Sequence, residues 1–177
     1  MNNELERLMP QYDFNETHEL LVQASPQEAF DALKNVDFAD SPLLRFLFFI
    51  RGLKPHRFDE LTNFFTPLYM KEGEEWDLGL IGKPWTPTGH ILYLSPEAFR
   101  SFDTPGYAKM VWQFYFVKEG ENTLVKTETR ILCLDDASRK RFKWYWFFVK
   151  PFSGLVRRKI LKMIENKVAL NQNSAYG

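Results

Sequence analysis

The clearest pattern in the chain is an alternation of apolar and polar positions between residues 64 and 134, with helical spacing on either side of it. Met110, Trp112, Phe114 and Phe116 share one face of a strand predicted over residues 108–118. Glu119, Gly120, Glu121 and Asn122 turn that strand into a second, residues 123–134. In it Thr123, Val125, Thr127, Thr129, Ile131 and Cys133 share one face, and Leu124, Lys126, Glu128, Arg130, Leu132 and Leu134 the other. Lys126, Glu128 and Arg130 are expected on the solvated side. Residues 65–71 and 75–81 flank Glu72, Gly73 and Glu74 as a hairpin, with Trp76, Leu78 and Leu80 facing the interior. Residues 82–87, rich in Gly and Pro, read as a loop, and 90–94 and 99–102 as shorter strands. Residues 18–24 read as a first strand.

Helix signals flank this region. Ser25 can cap a helix, Pro26 suits its first position, and Glu28 completes a capping box before Ala29, Phe30 and Leu33. A similar run at Ser95–Phe99 is too short to count as a repeat. Ser41-Pro42 opens a second helix over residues 43–53, ending at Arg51-Gly52 and charged only at Arg45 and Arg51. Such a helix is buried all round or covers an opening, which makes residues 43–50 a candidate lid. Asp135 and Asp136 open the last helix, acidic at its positive end. Phe142, Tyr145, Trp146 and Val149 form one broad stripe, with Trp144 and Phe148 beside it. Pro151, Ser153 and Gly154 are expected to divide that helix into two hinged segments. Val156, Ile160, Met163 and Ile164 then resume a stripe, with Arg157, Arg158, Lys159 and Lys162 facing elsewhere. Strands joined by short turns make an antiparallel meander, and the final helix must cover its apolar face.

Composition adds density and asymmetry. Seventeen Phe and five Trp among 177 residues are enough to fill a core or line a cavity. The net charge of zero is unevenly spread. Residues 1–100 carry nine Lys/Arg against sixteen Asp/Glu, and residues 101–177 fourteen against seven. A basic C-terminal helix can lean on its own acidic half or serve an anionic partner. Cys133, the one cysteine, excludes an intrachain disulfide and suits a reducing compartment. No signal peptide is expected from the acidic N-terminus, and apolar runs such as residues 46–50 and 144–149 are far short of a membrane span. A cytoplasmic location is the expectation.

The order strand, two helices, meander and long helix resembles the START-like or SRPBCC superfamily, which includes Bet v 1-like proteins and polyketide cyclases. The resemblance lies in the strand-Ser-Pro-x-Glu-x-Phe opening (18–30), the Pro105-Gly106 turn before the aromatic strand, and the final helix. Residues 79–85 and 151–155 look like a bacterial branch of that superfamily. It implies an α+β helix-grip fold: a curved antiparallel sheet of about six or seven strands around a long kinked C-terminal helix, with two short helices after the first strand. One domain over residues 1–177 is expected, with 1–14 and 171–177 as loose tails. It also implies a cavity between sheet and helix that accepts an apolar ligand, but no reaction.

Chemistry-bearing motifs are sparse. His18, His56 and His90 are scattered, so no metal site or cofactor is expected, and Cys133 reads as buried and inert. There is no phosphate-binding Gly motif. Nucleic acid is not an expected partner, because the helical aromatics are better used as core or cavity wall. The leading expectation is non-catalytic binding of a hydrophobic small molecule or lipid. Trp112, Phe114, Tyr145 and Trp146 would form the wall, Trp85 would stand near a loop entrance, and Glu128 and Arg130 would anchor a polar head group if their face points inward. One alternative is a cyclase- or hydratase-like enzyme using Asp77, His90 or Glu128 as acid or base. Another is a docking module whose basic, aromatic last helix contacts a membrane or protein. No catalytic residue is assigned, and the oligomeric state is open.

Overall fold

The computed structural model describes residues 4–42, 44–45, 57–61 and 64–175. Its centre is an open antiparallel sheet of five strands: β1 (Phe14–Val22), β2 (Thr66–Lys71), β3 (Glu75–Gly82), β4 (Ala108–Glu119) and β5 (Asn122–Cys133), in the order β1-β5-β4-β3-β2. The helices with described bounds are α1 (Glu4–Leu8), α2 (Pro26–Lys34), α3 (Phe58–Leu61), α4 (Pro96–Ser101) and α5 (Asp136–Ala175), besides a 3-10 turn at Phe38–Asp40. Helix α5 lies across one face of the sheet, against β1, β5 and α2. This is an α+β helix-grip arrangement. None of the described helices is long and apolar enough to cross a membrane.

The alternation read from the sequence sets the sheet. Trp112, Phe114 and Phe116 of β4 and Trp76 and Leu78 of β3 point toward α5, as do Val125, Ile131 and Cys133 of β5. The β4–β5 register runs unbroken from Ala108↔Cys133 to Glu119↔Asn122, closed by Gly120 at φ 62°. A positive φ of that kind is cheap only for glycine in so tight a turn. Under α2 and α5, Phe58 stands edge-on to Phe114 at 5.2 Å, Trp76 at 5.3 Å and Trp112 at 5.7 Å. Each such pair adds about 0.5–1.5 kcal/mol beyond its burial.

Several expectations change. Strand β1 begins at Phe14, four residues before the predicted 18. The described sheet has five strands because two segments read as strands are not: residues 90–94 contribute only an Ile81↔Leu92 bridge, and 99–102 belong largely to α4. The resemblance between Ser25–Phe30 and Ser95–Phe99 is a shared helix start. Ser25 Oγ accepts from Glu28 N at 3.3 Å and Ser95 Oγ from Ala98 N at 3.2 Å, and each helix then buries its Phe. Helical conformation also runs through Pro151 and Gly154 without a break, so the two-segment division does not hold. Leu44 and Arg45 are helical; the rest of the predicted second helix and candidate lid, and His56, lie outside the described residues.

The face of the sheet away from α5 is covered as well. Leu5 and Met9, in a stretch expected to be a loose tail, are buried with Leu68, Ile81, Phe99 and Val111 beneath α1 and α4. At the other terminus, α5 continues to Ala175, and Gln172 Nε2 donates to Gln23 O at 2.9 Å.

Candidate functional site

Two apolar clusters lie between the sheet and α5. One centres on Phe30, Phe58 and Phe114, and the other on Phe142, Ile131 and Cys133. Between them lies a polar group that the alternation of β1 and β5 creates. Glu16 pairs with Thr129 and His18 with Thr127, so all four side chains rise from the same face. Trp112 of β4 pairs with Thr129, and its Nε1 donates to Thr127 Oγ1 at 2.8 Å.

Helix α5 delivers the cation to this group. Arg157 lies three residues after Gly154 and three before Ile160, on the side of the helix that faces the sheet, and is only 9% exposed. Its guanidinium donates to Thr129 Oγ1 and Ser153 Oγ, and it stands 5.7 Å from the Trp112 ring. Glu16 Oε2 is 3.7 Å from Arg157 Nη1, an ion pair beyond hydrogen-bond length. The other carboxylate oxygen, Oε1, is 2.9 Å from His18 Nε2. Burial pulls the Arg157 pKa down and Glu16 opposes it. A guanidinium starts so far above neutrality that it stays charged. Arg157 Nε and Glu16 Oε2 are buried without a hydrogen-bond partner. Most buried polar atoms in folded proteins are paired, so two orphans on neighbouring groups set this spot apart from the apolar clusters on either side.

The residues expected at the site fall in three places. Trp112 and Phe114 belong to the Phe58 cluster, where Phe114 is fully enclosed and backs the wall rather than forming it. Trp85, Tyr145 and Trp146 gather around Phe142, with Trp146 stacked on it at 5.7 Å and Trp85 edge-on at 6.4 Å. Trp85 Nε1 is a further buried donor without a partner. Glu128 and Arg130 are not in the grip. They lie on the opposite face, neither solvated nor free, with Arg130 Nε donating to Glu128 Oε1 at 2.8 Å and Arg130 Nη1 to Met9 O at 3.0 Å under α1. Glu6 completes that network. The sheet separates them from α5.

The expected acids and bases are elsewhere too. Asp77 is fully buried, but on the outer face beside Glu75 and Gln113, where the α1 backbone N–H of Glu4 donates to Glu75 Oε1 at 3.1 Å. Burial, then the Glu75 carboxylate, raises its pKa to about 8. His90 is exposed on the loop after β3, at φ 40°. Glu16, His18 and Arg157 were missed as site residues, although the period-2 pattern of β1 and the 3.6 period of α5 both carry them. An open groove of about 410 Å³, lined by Ser25, Glu28, Lys118, Glu121 and Gln172, lies at the far end of the grip and holds none of the expected residues. Among the described residues no group of three or more His, Cys, Asp or Glu is placed to hold a metal ion.

No family model and no curated protein matches the chain. Among solved structures it is similar to the di-domain ARO/CYC BexL from the BE-7585A biosynthetic pathway, at 15% identity and TM-score 0.36 over 91% of this chain. It spans about half of that longer chain, 48%. TTHA0849 from Thermus thermophilus is 10% identical, at TM-score 0.32 over 89% of this chain and 99% of its own. Ara h 8.0201 is 13% identical, at TM-score 0.32 over 88% and 97%. These are distant likenesses that assign neither ligand nor reaction.

Proposed function

We propose that the protein is a non-catalytic binder of an apolar small molecule or lipid, held between sheet and α5 with its polar end at Arg157. In this reading the chain is a cytoplasmic member of the START-like superfamily. The observation that carries the proposal is a guanidinium buried among aromatic clusters whose Nε has no hydrogen-bond partner, in an ion pair with a carboxylate oxygen that also accepts no hydrogen bond. Sequestering a cation costs several kcal/mol unless something offsets it. Glu16, Thr129 and Ser153 supply part of that offset, and a ligand acceptor at Nε would add the hydrogen bond still missing. The aromatic walls suit the ligand body: Trp112 on one side, and Trp85, Tyr145 and Trp146 on the other.

The test uses anilinonaphthalene sulfonate, an apolar ring system bearing an anion, with a long-chain carboxylate as competitor. Saturable binding, displaced by the carboxylate and weakened about tenfold or more in Arg157→Met, is the expected result. Binding that Phe147→Ser/Phe148→Ser removes and Arg157→Met does not would place the probe on the surface and end the proposal.

A second reading rests on the 2.9 Å His18–Glu16 contact, an imidazole oriented by a carboxylate inside the grip. That pair is suited to proton transfer, as a cyclase- or hydratase-like enzyme requires. Native mass spectrometry of protein purified from its own host separates the two. A carrier retains one co-purified molecule unchanged over hours, whereas an enzyme converts it and His18→Gln stops the conversion.

A further inference from the structure

Helix α5 carries a second apolar stripe, on the side turned away from the sheet. Trp144, Phe147, Phe148, Pro151, Phe152 and Leu155 follow the i, i+3, i+4, i+7, i+8, i+11 spacing of one helical face. They are exposed: Trp144 by 70%, Phe147 by 72%, Phe148 by 65% and Phe152 by 56%. Isolated surface aromatics are ordinary, but four in register with Leu155 form a patch about 17 Å long. The grip does not need them. Phe142, Trp146, Gly154 and Arg157 face inward from the same turns.

Charge decides what this face meets. One turn before Trp144, on the same side of the helix, stand Lys140 and Arg141; one turn after Leu155 stand Arg158 and Lys159. Lys143 and Lys150 flank the middle. None of the six forms an ion pair with a described residue, and α5 itself carries just two acidic side chains, Asp136 and Glu165. Asp136 is held by Arg139 at 2.7 Å and Glu165 by Lys162. The face therefore reads basic, apolar, basic along its length. A protein partner's apolar groove would match the middle alone. An interface of acyl chains under anionic head groups matches all three parts, and Trp and Phe are the side chains that settle there.

We infer that this outer face of α5 docks the folded domain on an anionic membrane surface, with the helix lying flat, its aromatics among the acyl chains and its cations at the head groups. The inward face keeps its grip on the sheet meanwhile, so docking and the interior site use opposite sides of one helix. Membrane contact is thus independent of the interior reading.

Co-sedimentation of the full chain with phosphatidylcholine vesicles, with and without about 30% phosphatidylserine, tests the inference. Expected is binding to the anionic vesicles, about tenfold or more weaker to the neutral ones, and lost in about 0.5 M salt. Trp144→Ser/Phe147→Ser/Phe148→Ser should weaken it at least about tenfold while leaving thermal stability in place, since these side chains contact solvent. Lys140→Glu/Arg141→Glu/Arg158→Glu should cost roughly fivefold per cation removed. Absence of binding to anionic vesicles, equal binding to both kinds, or an aromatic variant that binds as the parent does would each overturn the inference. A dimer in light scattering that the aromatic variant dissociates would also overturn it, assigning the face to a second copy of the chain. Carboxylate displacement of the sulfonate probe in the aromatic variant shows whether the interior reading stands when docking fails.

Discussion

Gly154 of α5 crosses Glu16 of β1 with no room for a side chain: a Cβ at that position would lie 2.7 Å from Glu16 Oε1 and 3.2 Å from His18 Nε2. This contact sets how closely the helix approaches the sheet, and so brings Arg157, one turn on, to Thr129. Glycine inside a helix ordinarily costs about 1 kcal/mol against alanine. Gly154→Ala should therefore stabilise an unobstructed helix by that amount.

Here the opposite sign is expected. The added methyl must displace a buried carboxylate already engaged with an imidazole, and overpacking of that kind costs about 1–3 kcal/mol. Urea denaturation should give Gly154→Ala a net loss of about 1 kcal/mol, with reduced probe binding because Glu16 and Arg157 shift together. A gain in stability would show that the helix crosses the sheet less closely than described.

Arg157 and Glu16 form the buried pair whose dissection is most informative. Removing one member leaves the other as an uncompensated buried charge, a loss of about 3–5 kcal/mol. Arg157→Leu should be destabilised on that scale, as should Glu16→Gln, which removes the negative charge facing the guanidinium and leaves its hydrogen bonds to Ser153 and Thr129 in place. The double variant should recover most of the loss. A double-mutant cycle in chemical denaturation therefore expects strong non-additivity, while probe binding stays lost in every variant lacking Arg157. Additive losses would mean that the 3.7 Å pair contributes little.

Strands that alternate apolar and polar side chains write that alternation into the sequence with period 2, which is why β3, β4 and β5 were legible almost to the residue. Alternation separates two faces but does not say which one a helix covers. Both faces here are covered, so Glu128 and Arg130 could not be assigned to the outer one in advance. Helix α1 was missed because its five residues carry barely one turn of amphipathic signal, Leu5 and Leu8 with Met9 just beyond, within an acidic stretch. The helix phase did contain Arg157: it lies seven residues before Ile164 on the buried side. Its neighbours Arg158, Lys159 and Lys162 drew it into a solvated basic face, and Gly154 read as an interruption when it is a close approach. In each case the local signal was present and the tertiary partner that gives it meaning was not.

Cys133, on the last residue of β5, should be inert in the native state. Burial, then the nearby Asp13 carboxylate, pushes its thiol up to about 12, and its own backbone N–H donates to Asp13 Oδ2 at 2.8 Å. At about pH 8 almost none is thiolate, the form that reacts. Iodoacetamide labelling at that pH should follow the unfolding rate and become fast only in denaturant; rapid native labelling would contradict the burial.

Asp77 makes a pH dependence that the grip does not. Its pKa is raised from an ordinary 3.8 to about 8, first by burial and then by Glu75. Between those values the folded state holds a proton that the unfolded state has released, so folding binds protons and stability must fall as pH rises. The stabilisation is whole below about pH 4 and is lost as pH climbs through about 8. Carboxylates whose pKa is lowered by hydrogen bonds, Glu28 from Ser25 and Glu6 from Arg130, act with the opposite sign and only below about pH 4.5, outside the interval compared here. Asp77→Asn fixes the neutral form in nearly the same shape. Denaturation at about pH 5.5 and about pH 8.5 should show the parent losing at least about 1 kcal/mol more than the Asn variant over that interval, with the variant the more stable of the two at the higher pH. Parallel losses in the two proteins would mean that Asp77 is ionised throughout, and that the carboxylate beneath α1 has found a donor.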